Sequence, residues 1–84
     1  MNKKQRQTLE RIFEKPESSD MLWNDIESLF KALGADISEG RGSRVRVALK
    51  GVRAVFHRPH PQRVTSKSTV RSVRRFLLET GVKQ

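Results

Sequence analysis

The sequence predicts an α+β domain in which two helices cover one face of a small three-stranded antiparallel sheet. Hydrophobic residues recur at helical spacing over residues 26–33 and 70–77, which is typical of amphipathic helices. Residues 44–57 instead alternate charged and apolar side chains around a turn at Lys50-Gly51, which predicts a β-hairpin. Because the chain has 84 residues, we expect one domain with a modest core.

The first twenty residues (1–20) are predicted to form an extension and linker, and residues 21–84 the main α-β-β-β-α domain. A short helix is expected over residues 3–13, and Pro16 with the polar residues after it is typical of a linker. The apolar side of this short helix consists of Leu9, Ile12 and Phe13.

The first helix of the main domain is predicted to begin at a capping box. Asn24 is expected to cap the helix, and the side chain of Glu27 to reach back to the backbone. Gly34 is the expected C-terminal stop. The stripe predicted to be buried consists of Ile26, Leu29, Phe30 and Leu33.

A short strand is expected over residues 35–39, followed by a loop and the hairpin. If Lys50-Gly51 is a two-residue turn, the numbers of cross-strand partners sum to 101. The core side then carries Val45, Val47, Leu49, Val52, Ala54 and Phe56. The opposite face pairs Arg44 with His57, Arg46 with Val55, and Ala48 with Arg53. This prediction depends on the register, because a slip of one residue exchanges the two faces.

A proline-bearing loop is expected over residues 58–65, and a last helix from about Lys67 to Thr80. Ser66 is the candidate cap of this helix and Gly81 its stop. Its predicted buried residues are Val70, Val73, Phe76 and Leu77. Another side of the same helix is basic and carries Lys67, Arg71, Arg74 and Arg75.

Charge is distributed unevenly along the chain, whose formal net charge is +9. Residues 1–39 have six basic and eight acidic side chains, whereas residues 40–78 have eleven basic and no acidic ones. Positive charges concentrated in one stretch repel one another, and such a distribution is typical of proteins that bind a polyanion. Nine of the eleven are arginines, which favours bidentate contacts with phosphate. Nucleic acid is the favoured partner, and an acidic protein or a basic surface without such a role are the alternatives.

Composition disfavours several other classes of protein. The chain has no cysteine, which excludes a disulfide, a thiolate nucleophile and a cysteine-based zinc site. No metal-binding motif is present, and we expect neither a metal nor a cofactor. The N-terminal segment lacks the apolar run of a signal peptide, and no stretch approaches the length of a membrane span. We therefore expect a cytoplasmic protein without a membrane partner.

Four short motifs occur in order: Leu33-Gly34, Gly42-Ser43, the Pro/His segment 57–61, and Gly81-Val82 after a basic helix. With these motifs, residues 23–82 resemble the HicA toxin family, whose fold is similar to a double-stranded-RNA-binding domain. The resemblance implies a sequence-tolerant, metal-independent endoribonuclease that cuts messenger RNA, and a neutralising HicB-type antitoxin. We expect a monomer when the chain is free and a hetero-oligomer with the antitoxin.

The chain departs from the family directly after Gly42-Ser43, where the family usually carries a histidine taken to be catalytic. Arg44 occupies this position, and arginine cannot act as a general base near neutral pH because its guanidinium stays protonated there. Either another residue supplies the base, or the protein binds RNA without cutting it efficiently.

Metal-free RNA cleavage needs a base for the ribose 2′-hydroxyl, an acid for the leaving 5′-oxygen, and cations around the phosphate. His57 is the candidate base, because the predicted register places it opposite Arg44. His60 is the candidate acid or phosphate donor. The structural alternatives are a strand-end histidine paired with backbone or a carboxylate for His57, and a solvent-exposed loop histidine for His60.

Arg44, Arg46 and Arg53 are expected to hold the scissile phosphate and its neighbours. Further candidate RNA contacts are Arg41, Ser43, Arg58, Lys67, Arg71 and Arg74. Three functions remain open: an RNA-cleaving toxin, a non-catalytic RNA- or DNA-binding module of the same fold, and an interaction protein that docks an acidic partner.

Overall fold

The computed structural model describes residues 1–59 and 63–82 of the chain. The elements in chain order are α1 (Lys3–Phe13), α2 (Trp23–Ala32), β1 (Asp36–Glu39), β2 (Arg44–Leu49), β3 (Val52–His57) and α3 (Lys67–Glu79). This α+β order confirms the predicted fold class, with three antiparallel strands and a short helix before the main α-β-β-β-α arrangement.

The sheet has the strand order β1-β2-β3, and its β2–β3 register is the predicted one. Arg44 lies opposite His57, and Ala48 lies opposite Arg53. Lys50 and Gly51 form the two-residue turn, with φ values of 51° and 81°. Positive φ at both central residues is the requirement of a type I′ hairpin, whose twist matches that of the strands. The turn therefore fixes which side chains share each face of the hairpin.

One face of the sheet is covered by α2 and α3, and the core lies between them. Phe30 of α2 is fully buried, and its ring centroid lies 5.8 Å from that of Phe56 and 5.7 Å from that of Phe76. Val45 and Val47 of β2 point into the same cluster. The predicted core side of the hairpin is thereby confirmed, although Val52 and Ala54, towards the turn, are only partly buried.

Helix α1 packs into the same core through Ile12, which is fully buried, while Leu9 and Phe13 are partly buried beside it. The helix begins at a capping box, in which Asn2 accepts from the backbone of Gln5 and the Gln5 side chain accepts from the Asn2 backbone. Burial of Ile12 couples the extension to the stability of the whole molecule.

The predicted capping box of α2 is wrong. The helix begins at Trp23, with Leu22 as a cap that makes no side-chain hydrogen bond. The start is set by tertiary contacts instead, because the Trp23 amide donates to the Arg63 carbonyl at 3.0 Å and the Leu22 backbone forms a bridge with Val64. Glu27 is consequently released from capping and takes a different role near the candidate site.

Helix α3 begins as predicted, with the Ser66 side chain accepting a hydrogen bond from the Thr69 amide. It ends at Glu79, one residue before the predicted end, and Gly81 follows with φ of 87°. The predicted buried residues Val70, Val73, Phe76 and Leu77 all lie in the core.

Candidate nucleic-acid interface

The sheet face turned away from the helices is here called the open face. It carries Asp36 and Ser38 of β1, Arg44, Arg46 and Ala48 of β2, and Arg53, Val55 and His57 of β3. All of these side chains are exposed except that of Ala48, which is half-buried. The strands therefore present three arginines and an imidazole to solvent on one surface, as the hairpin register predicted.

Arg44 and His57 lie opposite each other at the end of the open face where β2 begins and β3 ends. Just beyond them, the Arg58 amide donates to the Ser43 carbonyl at 2.9 Å and continues the pairing by one step. His57 also borders a small groove with Pro59 of the following loop and Ser66 at the start of α3. The imidazole is therefore exposed both on the open face and towards the start of α3.

The structure gives the remaining candidate residues different positions. Arg41 and Ser43 are exposed in the loop between β1 and β2, at the same end of the sheet as His57. Lys67 is exposed in the first turn of α3. His60 lies outside the described residues.

Arg58 does not belong to the open face, because its side chain is held by two carboxylates within the protein. Its guanidinium donates from Nη1 to both oxygens of Glu39, at 2.6 and 2.8 Å, and from Nε to Glu27 at 2.8 Å. These hydrogen bonds raise the pKa of Arg58 above its already high ordinary value. The predicted RNA contact of Arg58 is therefore left out of the interface proposed below.

Glu27 is the centre of this ion-pair cluster. Burial favours its neutral form, but hydrogen bonds from Arg58 and from the Trp23 indole outweigh burial and lower the pKa of its carboxyl. The cluster connects α2, the end of β1 and the segment after β3, and so holds the backbone next to His57 in place.

Arg71 and Arg74 of α3 are directed towards the N-terminal segment and away from the open face. Both guanidinium groups donate to Glu17, at 3.1 and 2.6 Å, and Arg74 also donates from Nε to the Ile12 carbonyl at 2.9 Å. The Arg74 side chain is only 12% exposed. Helix α3 packs on the covered side of the sheet, so these two residues are also left out of the proposed interface.

The ion pairs of Glu17 predict a pH dependence of stability. Hydrogen bonds from Arg74 and then Arg71 lower the pKa of Glu17 in the folded protein. A lowered folded pKa contributes stability that is present above the unfolded value, about 4.3, and is lost as pH falls through the folded value. We expect the melting temperature of wild type to exceed that of Glu17→Gln at pH 7, and the difference to shrink at pH 3.

Thermal unfolding followed by circular dichroism at both pH values measures this difference. Glu10→Gln is the matched control, because Glu10 is exposed on α1 and has no ion pair within the described part of the chain. A difference in melting temperature between wild type and Glu17→Gln that stays constant from pH 7 to pH 3 contradicts the ion pairs of Glu17 with Arg71 and Arg74.

Two open-face residues were missed by sequence reasoning, namely Asp36 and Ser38. The β1–β2 register places Asp36 opposite Ala48 and Ser38 opposite Arg46. The sequence did not predict the register of β1 against β2, because these strands are joined by a four-residue loop and not by a two-residue turn. The open face consequently carries one carboxylate among its arginines.

Fold and site together define a class of protein: a small α+β domain resembling a double-stranded-RNA-binding domain, with a cationic open sheet face. Residues 23–82 match the family described as "HicA toxin of bacterial toxin-antitoxin". The match covers well over half of the chain, and the chain therefore belongs to the HicA toxin family. It is the toxin component of a toxin–antitoxin pair, and the family implies an antitoxin partner.

No curated protein and no solved structure matches the chain. None of the helices within residues 1–59 and 63–82 has the length and apolar character needed to cross a membrane.

Proposed function

We propose that this toxin binds messenger RNA on the open face and cleaves it without a metal ion, thereby inhibiting translation in the cytoplasm. The observation that carries the proposal is the placement of His57 directly opposite Arg44, with Arg46 and Arg53 on the same exposed surface. An imidazole beside guanidinium groups combines a proton acceptor with phosphate-binding cations.

In the proposed reaction, His57 removes the proton of a ribose 2′-hydroxyl. The 2′-oxygen then attacks the adjacent phosphorus, the bond to the 5′-oxygen breaks, and a 2′,3′-cyclic phosphate forms. Arg44 stabilises the negative charge that accumulates on the phosphate. His60 stays the candidate acid that protonates the leaving 5′-oxygen.

Arg46 and Arg53 are assigned to neighbouring phosphates. Both side chains are exposed and, within the described ranges, neither forms an ion pair with a carboxylate. In this they differ from Arg58, Arg71 and Arg74, whose guanidinium groups form ion pairs with glutamates of the same chain. Free guanidinium groups release counterions when they bind phosphate, which makes affinity depend on salt.

The proposed HicB-type antitoxin neutralises the toxin by placing carboxylates over Arg44, Arg46 and Arg53. Charge complementarity of this kind supports rapid association of the two proteins. We propose a monomeric free toxin and a hetero-oligomer with the antitoxin.

The test is a comparison of RNA affinity between Arg46→Ala, Arg53→Ala and the control Arg71→Ala, using a non-cleavable 2′-O-methyl RNA over a range of salt concentrations. Each open-face variant is expected to weaken binding and to reduce the salt slope by about one. Arg71→Ala, on α3 and paired with Glu17, is expected to retain both values. Equal loss of affinity in all three variants contradicts the proposed interface.

A non-catalytic RNA-binding protein is the second candidate, and the observation that favours it is Arg44 at the position of the family's histidine. The two candidates differ in one measurement. Purified wild-type chain that binds RNA but leaves it intact, and whose expression is harmless, supports the second candidate.

A further inference from the structure

In one cross-strand row of the open face, an alanine lies between an aspartate and an arginine. The register sets Asp36 of β1 opposite Ala48 of β2, and Ala48 opposite Arg53 of β3. Adjacent strands lie about 4.8 Å apart, so the backbones that carry Asp36 and Arg53 are roughly 10 Å apart. Since Ala48 has only a methyl group, a slot is left between the carboxylate and the guanidinium.

This slot forms part of an open groove of about 450 Å³, lined by Asp36, Ala48, Arg53, Arg46 and Val55 among others. Within the described residues, Asp36 has no ion-pair partner at 4 Å or less, even though Arg46 is its diagonal neighbour on β2. The acceptor on one side and the donors on the other are both available to a ligand that spans the slot.

We propose that this slot binds an unpaired guanine base of the RNA, with Asp36 as the residue that determines base preference. The inference rests on the proposed function and names a substrate feature of the same face. Guanine presents two adjacent N–H donors, N1–H and the N2 amino group, on its Watson–Crick edge. It presents two acceptors, O6 and N7, on its Hoogsteen side. The Asp36 carboxylate accepts from the first pair. The Arg53 guanidinium has five N–H donors, of which two donate to O6 and N7 while the others stay available to the neighbouring phosphate.

The other bases fit this arrangement less well. Adenine and cytosine each have an acceptor ring nitrogen next to their amino group, which repels a carboxylate. Uracil has a single N–H donor between two carbonyl acceptors. With these bases, the Asp36 carboxylate does not receive two adjacent hydrogen bonds. A carboxylate left without its hydrogen-bond donors strongly disfavours binding.

Two neighbours of the slot suit the planar faces of a base. Val55 is 56% exposed and lies diagonally across from Ala48, since it pairs with Arg46, so it offers an apolar contact next to the slot. Arg46 lies two residues before Ala48 on the same side of β2. Its guanidinium plane can stack on a base while its N–H edge stays available to the neighbouring phosphate. Recognition at this slot therefore needs no aromatic platform.

The test uses non-cleavable 2′-O-methyl RNA hexamers that differ in one central base: guanine, hypoxanthine or adenine. Binding to wild type, Asp36→Asn, Ala48→Leu and the control Asp20→Asn is measured by fluorescence anisotropy at physiological salt. The control makes the same charge change in the exposed N-terminal linker. Melting temperatures of all variants establish that they are folded.

Wild type and Asp20→Asn are expected to bind the guanine hexamer about tenfold more tightly than the adenine hexamer. Hypoxanthine, which lacks the N2 amino group, is expected to fall between them. Asp36→Asn and Ala48→Leu are expected to reduce the guanine-to-adenine ratio to within about twofold, because one removes the carboxylate and the other fills the slot.

Equal binding of the three hexamers by wild type overturns the guanine slot while leaving RNA binding by the open face intact. A guanine preference that Asp36→Asn retains also overturns it. Failure of wild type to bind any hexamer overturns both the slot and the proposed function.

Discussion

His57→Ala is expected to lower the rate of RNA cleavage by about 100-fold or more, the usual contribution of a general base. The imidazole is the proposed acceptor of the 2′-hydroxyl proton, and it lies opposite Arg44 on an exposed strand. Cleavage of a labelled RNA under single-turnover conditions measures the rate directly. Induced expression of the variant is expected to permit growth, whereas the wild type arrests it with loss of messenger RNA.

Loss of cleavage must be separated from loss of folding or of RNA binding. The His57 side chain is exposed, so its replacement is expected to leave the melting temperature unchanged. RNA affinity is expected to fall only slightly, because the arginines that contact phosphate remain. If His57→Ala and His60→Ala are each as toxic as wild type, neither histidine is the base and the catalytic assignment is wrong.

Phe30→Ala is expected to destabilise the protein by about 3–5 kcal/mol, which is a large share of the stability of a domain of this size. The ring is fully buried and packs against Trp23 of its own helix, Phe56 of the sheet and Phe76 of α3. Removing the ring creates a cavity at the point where α2, β3 and α3 contact one another. Urea denaturation followed by circular dichroism measures the change in the free energy of unfolding.

Leu78→Ala is the matched control for this prediction. Leu78 is a large apolar residue on α3 but is 53% exposed, so its truncation is expected to cost less than about 0.5 kcal/mol. A Phe30→Ala variant that unfolds at the same urea concentration as Leu78→Ala contradicts the described core.

The hairpin shows how much of the site was accessible from sequence. Alternation with a period of two assigned alternate residues to opposite faces, and a two-residue turn at Lys50-Gly51 predicted the register that the structure has. Both signals are local in the chain, and together they place Arg44 opposite His57 without any tertiary contact. The same reasoning was not available for β1, and Asp36 was missed for that reason.

The arginines show what sequence reasoning did not detect. Arg58, Arg71 and Arg74 lie in a stretch without acids, so they were predicted to be free for RNA. Their partners come from distant parts of the chain, namely Glu27, Glu39 and Glu17, at sequence separations of 19 to 57 residues. Charge counting along the chain does not detect such pairs.

The capping prediction failed for a related reason. Asn24 and Glu27 have the spacing of a capping box, but backbone pairing of Leu22 with Val64 begins α2 at Trp23. A side-chain cap stabilises a helix by about 1 kcal/mol. Here the start of α2 is instead tied to the segment before α3 by the Leu22–Val64 bridge and by the hydrogen bond from the Trp23 amide to the Arg63 carbonyl. Glu27 is then available to Arg58.

The sequence by itself determined the order of the elements, the two faces of the hairpin and the family to which the chain belongs. These depend on periodicity, turn geometry and short motifs, which act between residues close together in the chain. The tertiary structure alone decided which arginines face solvent and that a carboxylate stands among those of the open face. Ion pairs form between whichever side chains folding brings within about 4 Å, and that proximity is set by packing of the core and not by distance along the chain.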